Sequence, residues 1–120
     1  MNEEKENIIK SKSFQFALKI LQLSKFLSED KKEYVLSKQL LRSGTSIGAL
    51  VRESEHAESK IDFIHKLAIA QKESNETQYW IELLIASWII SEESWGTILS
   101  DNREISKILS AIIVSSKKNI

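Results

Sequence analysis

Two residue pairs carry the spacing of a metal site: Glu53 with His56, and Asp62 with His65, each a carboxylate followed three residues later by an imidazole. On a helix that spacing puts both side chains on one face. Di-iron bundles use two Glu-x-x-His motifs plus one Glu from each of the other two helices. Between Asn7 and Ser28 this chain has no acid, so one required ligand has no candidate. Both motifs also flank a turn, where polar residues are ordinarily solvated. No cofactor is expected, and a weak surface contact through His56 and His65 is what remains of the metal reading.

Covalent chemistry has less to work with. Cysteine is absent, which removes disulfides, thiolate ligands and a thiol nucleophile together. No serine sits in a local pattern that marks a nucleophile. The stretch from Gly44 to Gly48 is not a phosphate loop, because it lacks the lysine and the preceding strand. The chain is not expected to be an enzyme.

Binding is the better prospect. Lysines and arginines number 17, matching 17 acids, so the net charge is zero. Their distribution is uneven: residues 1–42 carry nine basic and six acidic side chains, and residues 43–104 carry five and eleven. A domain dedicated to duplex DNA or RNA usually has a stronger basic excess. A local patch is the available alternative, and Lys12, Lys19, Lys25, Lys31, Lys32 and Arg42 form the best one. Lys12, Lys19 and Lys25 fall near a seven-residue spacing, along one edge of a helix. Repeated around a symmetric assembly, such an edge becomes a basic belt. Ordinary solvated lysines would look the same in sequence.

The aromatic residues Tyr79, Trp80, Trp88 and Trp95 invite a base-stacking reading. Their neighbours are Glu76, Glu82, Glu92 and Glu93, which disfavours phosphate. From Tyr79 to Ile90 only Glu82 and Ser87 are strongly polar. That arc is wider than one core needs, and aromatic surplus of this kind suits a subunit interface. Tyr79, Trp80 and Trp88 are therefore the expected self-association residues.

These side chains need elements to position them. The chain has no proline, and 42% of its residues are hydrophobic. Apolar residues recur at helical spacing in four segments, expected at about 8–27, 34–56, 60–88 and 92–116. In the first, Phe14, Ala17, Leu18, Leu21 and Ser24 make one stripe and Phe16, Ile20, Leu23 and Leu27 a second. Ser59 and Ser91 are placed to cap the third and fourth helices. The polar run "SDNRE" before Ile105 marks a candidate bend. Short connections make successive helices antiparallel, so the expected fold is an all-α, up-down-up-down four-helix bundle in one domain. The N-terminus lacks a secretory core and the longest apolar run is too short to span a bilayer. A cytoplasmic protein with no membrane partner is the expectation.

Two of the three glycines, Gly44 and Gly48, lie four apart inside the second segment. Each costs about 1 kcal/mol of helix propensity relative to alanine. Spaced four apart, they flatten one helix face, which lets a facing helix, or the ring of Trp80 or Trp88, approach closely; Ser43, Thr45, Ser46 and Ala49 are small side chains around them, and Ser46, Ile47 and Ala49 are expected to pack with them.

The runs "LSKQLLRSGTSIGALVRES" and "DFIHKLAIAQKESNETQYWIELL" resemble the family of proteins encoded in intervening sequences of bacterial 23S ribosomal RNA genes. Accessory proteins of diversity-generating retroelements are similar in fold, and those are basic and bind nucleic acid. The resemblance implies an antiparallel four-helix bundle, a homo-oligomer (a ring-like pentamer), and no enzymatic activity. RNA or DNA is the partner it suggests, with a protein-interaction scaffold as the alternative. Ser46, Ile47, Gly48 and Ala49 match the family's Ser-Ile-x-Ala-Asn pattern, but Leu50 stands in place of the Asn. Asn75 stands where close relatives often carry Arg. Both departures remove polar or basic character.

Overall fold

Four long helices account for most of the computed structural model, which describes residues 3–119. They are α1 (Glu3–Glu29), α2 (Val35–Ser54), α3 (Lys60–Ala86) and α4 (Glu92–Lys117). Each packs against its two neighbours around the bundle, α1 closing on α4, and the diagonal pairs do not meet. Cross-helix pairs fix the directions. Ser24 meets Ser37 and Ile20 meets Gly44, while Lys12 meets Glu104 and Lys19 meets Asp101. One number rises as the other falls, so neighbours are antiparallel. The bundle measures 47 × 23 × 19 Å, its length being that of a 27-residue helix (~40 Å) with turns added.

Helix starts are satisfied locally. The Ser59 hydroxyl accepts from the Asp62 N–H at 3.0 Å, and Ser91 accepts from the Ser94 N–H at 3.1 Å. Ahead of α2 the residue Tyr34 offers no cap. The Glu33 carboxylate takes its place, accepting from the N–H groups of Val35 and Leu36 at 2.9 Å each. The first helix begins at Glu3, earlier than residue 8, because Glu3, Glu4 and Glu6 favour the positive end of a helix. The third stops at Ala86, short of Trp88. Trp88 itself adopts φ 66°, outside any right-handed helix.

The core belongs to one of the two stripes read in the first helix. Phe16, Ile20, Leu23 and Leu27 are buried, joined by Leu40, Ile47, Leu67, Ile81, Leu84, Ile105 and Leu109. Each such side chain contributes about 1.5–3 kcal/mol on burial. Of the other stripe only Ser24 is buried, and its large side chains stay out. Phe14, Leu18 and Leu21 are 48%, 41% and 49% exposed. With only two neighbours, α1 can bury one arc, and Phe16, Ile20, Leu23 and Leu27 occupy it. Ile61 and Ala68, which recur with buried Ile64 and Leu67 at helical spacing in α3, are exposed as well.

The candidate bend at "SDNRE" lies within unbroken helix. The helix α4 runs through it, and Asn102 is fully buried. Its Oδ1 accepts from the Ser74 hydroxyl at 2.9 Å, and its Nδ2 donates to the Ser74 carbonyl at 3.0 Å. A second polar bridge, Thr77 to Ser43 at 2.9 Å, ties α3 to α2. Every buried side-chain polar atom among the described residues has a partner.

Candidate interaction surfaces

The six basic residues singled out above do not form one surface. Lys12 and Lys19 lie on the edge of α1 that faces α4, paired with Glu104 at 3.1 Å and with Asp101. Between them runs a groove of about 280 Å³ lined by Gln15, Phe16 and Ile105. Arg42 lies on the α2–α3 edge and holds both Glu73, at 3.1 Å, and Glu76. Lys25 is exposed on α1, and no ion pair among the described residues involves it. Lys31 and Lys32 stand in the α1–α2 turn, with the Lys31 ammonium 5.8 Å from the Phe26 ring centroid. Exposed pairs of this kind contribute about 0–1 kcal/mol each, so they orient the lysines only loosely.

The small-residue stretch faces α1, not a tryptophan. A Cβ placed on Gly44 would lie 2.8 Å from Ile20 Cγ1 and 2.9 Å from Cγ2. Ile20 is fully buried and cannot retreat. A Cβ on Gly48 would lie 3.3 Å from the Ser13 carbonyl oxygen. Ile47 points into the core between them. Ser46 and Ala49 do not take part in that contact. The Ser46 hydroxyl donates back to the Arg42 carbonyl at 2.6 Å, and Ala49 is exposed beside a groove of about 240 Å³ between α1 and α2. Phe14 lines the same groove, with the Arg52 guanidinium 5.4 Å from its ring centroid.

The aromatic residues fall into two groups: Tyr79 and Trp80 meet edge-to-face with centroids 5.2 Å apart, and Trp88 and Trp95 line a groove at the end of the bundle. Trp80 is half-buried, its Nε1 donating to Glu76 at 3.0 Å. Tyr79 is exposed on the outer face of α3, beside Leu83. Trp88 lies beyond the end of α3 and is 91% exposed. Trp95 packs on Phe26 with centroids 5.4 Å apart. Exposed apolar surface is thus found on α1 (Phe14, Leu18, Leu21) as much as on α3. The signal for that was legible as the width of the apolar arc on the first helix.

The carboxylate–imidazole motifs serve the fold. Glu53 pairs with Lys66 at 3.2 Å, and Asp62 accepts from the Glu58 N–H at 3.1 Å. Among the described residues, no three His, Asp or Glu side chains converge as a metal site. None of the described helices is long and apolar enough to cross a membrane.

Known proteins place the chain in a family. The 23S rRNA-intervening sequence protein family model matches residues 5–111, and the chain belongs to that family. A solved relative, a Bacteroides thetaiotaomicron protein of unknown function from the S23 ribosomal protein family, is 55% identical. The match covers 91% of this chain and 97% of that one, with a TM-score of 0.89. No curated protein matches the chain.

Proposed function

We propose that this protein is a non-enzymatic assembly module, a bundle that associates side by side with copies of itself. The observation that carries this reading is the exposed apolar strip Phe14, Leu18 and Leu21 on α1. The helices α1 and α3 are diagonal partners, so their outer faces look in opposite directions. The two faces are also level. Ile20 meets Gly44, Ser43 bonds Thr77, and Ser74 bonds Asn102. Leu18 and Leu21 therefore stand at the height of Tyr79. An α1 face on one copy meeting an α3 face on the next is a head-to-tail contact, which closes into rings or runs on as filaments. The five-membered ring implied by the family resemblance is one such closure.

Light scattering coupled to size exclusion tests this. The double variant Leu18→Lys, Leu21→Lys changes only exposed positions, and it should remain folded while reducing the assembly. An assembly of unchanged mass would refute the lateral contact.

A second role, binding of RNA or DNA, is favoured by the exposed lysines of α1, Lys12 and Lys19 on the edge facing α4 and Lys25 in line with Leu18 and Leu21 on the outer face. Lys25 has no ion-pair partner among the described residues, and the side chains of Lys12 and Lys19 are 41% and 45% exposed within their pairs. Phosphates can therefore exchange for Glu104 and Asp101 at little cost. Fluorescence anisotropy should show binding that weakens linearly on a log–log salt plot. Changing all three lysines to Glu should abolish it. No binding at low salt would leave a scaffold for proteins.

A further inference from the structure

The helices α1 and α2 share a charge pattern that neither shows alone. From Ile8 to Leu27 and from Tyr34 to Arg52 there is no acid, while basic residues number four in the first stretch and three in the second. The two helices pack side by side and antiparallel. Three of these cations are turned away: Lys12 and Lys19 pair with acids of α4, and Arg42 with acids of α3. The other four border one face. Lys10 and Arg52 line the groove of about 240 Å³ between the helices. Lys38 falls about two turns from Thr45, which lines the same groove. Lys25 continues the line of Leu18 and Leu21, and the contact of Ser24 with Ser37 sets it level with Lys38. The cations thus stand in two pairs, about 22 Å apart along α1.

Between the pairs the surface is apolar. Phe14 and Leu21 are half-exposed, and Ala49 is exposed on the facing helix. One acid borders this window, Glu55, and Lys10 holds it at 3.3 Å. Glu53 is turned to α3, where it pairs with Lys66. Lys25, Lys38 and Arg52 meet no carboxylate among the described residues. The Arg52 guanidinium lies over the Phe14 ring instead. Four cations less one acid leave the window at +3. It is also bounded. Glu3, Glu4 and Glu6 outnumber Lys5 beyond one end, and Glu29, Asp30 and Glu33 outnumber Lys31 and Lys32 beyond the other. A bilayer or a long nucleic acid laid along the face would meet those acids too. A short anionic segment would not.

The lateral contact proposed above covers Phe14 and Leu21 but leaves the cations without counter-charge. The exposed Lys, Asp and Glu residues of α3 are Lys60, Lys72 and Glu82, which add positive charge. We infer that the α1–α2 window docks a short acidic amphipathic helix of a partner protein, about four turns long. Its apolar stripe lies on Phe14, Ala17, Leu21 and Ala49. Its carboxylates meet Lys10 and Arg52 at one end and Lys25 and Lys38 at the other. The inference rests on the lateral reading in one respect: the two occupants share Phe14 and Leu21 and exclude each other, so the partner helix releases copies of the chain from one another.

Fluorescence anisotropy tests the docking with a synthetic helix of about 16 residues, leucine along one stripe and glutamate beside it. A counterpart carries glutamine for every glutamate. The acidic peptide should bind, and the glutamine peptide should bind about tenfold less tightly or worse. Arg52→Glu with Lys38→Glu changes exposed positions only. It should abolish binding while the circular dichroism and the assembled mass stay those of the wild type. Arg52→Gln with Lys38→Gln should weaken binding without abolishing it. In light scattering, saturating acidic peptide should lower the mass of the wild-type assembly. A wild type that is monomeric without peptide and still binds it refutes the lateral contact and retains the window. No binding of the acidic peptide at low salt overturns the window, as does equal binding of both peptides or binding that survives Arg52→Glu with Lys38→Glu. Phosphatidylserine vesicles or oligouridine binding through the same residues in preference to the peptide would assign the face to lipid or nucleic acid and overturn it too. An assembly of unchanged mass at saturation overturns the shared face.

Discussion

Along the α1–α2 seam, glycine stands where helix propensity favours almost any other residue; in the α3–α4 turn, tryptophan stands where backbone geometry favours glycine. All three glycines lie inside helices and none has positive φ, while the two left-handed positions among the described residues are held by Lys32 and Trp88. The reasons differ at the two places. At the seam a neighbouring helix occupies the volume a side chain would need, and close contact with Ile20 offsets the propensity loss. At the turn nothing crowds the residue, and the side chain projects into solvent. At Gly44 and Gly48 glycine is placed for interhelical distance and not for turning.

Substitutions can break that contrast. Gly44→Leu should have the largest effect, a loss of about 3 kcal/mol measured by chemical denaturation, because overpacking against buried Ile20 has no outlet. Wild-type stability in that variant would remove the argument from the seam. Next comes Asn102→Ala, which strips the partners from the Ser74 hydroxyl and carbonyl and should cost about 2 kcal/mol. It probes a seam held by polar pairing instead of small residues, and an unchanged midpoint would show that the clasp contributes nothing net. Trp88→Gly should raise stability by about 1 kcal/mol when measured on monomer at low concentration, since it relieves the left-handed conformation. A loss there would mean the ring packs usefully within its own chain. Gly96→Ala should be smallest, a gain of about 0.5–1 kcal/mol from helix propensity. Its added Cβ meets only Glu92 Cγ at 3.1 Å, on an exposed side chain that can move aside. A loss at Gly96 would mean that this glycine too sets a distance.

Periodicity was enough for the helices, their caps at Ser59 and Ser91, and the close approach at the small residues. It left three matters open for physical reasons. Two apolar stripes on the first helix are equivalent in one dimension, and only the positions of α2 and α4 decide that Phe16 and Ile20 go inward while Phe14 and Leu18 stay out. The run containing Asn102 reads as polar because its partners, Ser74 and Gln78, lie on another helix. Charge spacing suggested one edge for Lys12, Lys19 and Lys25, but Lys25 stands about 120° round the helix from Lys19, and the acids that meet the first two come from α4, more than eighty residues away in sequence. Exposed aromatic surface was expected around Tyr79 and Trp88, and both are exposed. Trp80 turns inward to Glu76, and α1 supplies apolar surface that the sequence suggested for the core.

The clasp between Ser74 and Asn102 carries an evolutionary consequence. The amide donates and accepts across one helix pair, so altering either residue alone strands a polar group where water cannot reach it. Altering both to apolar residues of matching shape strands nothing. Descendants of this chain should accordingly keep the pair or lose it together, and sequences drifting apart elsewhere should show these two columns varying in step.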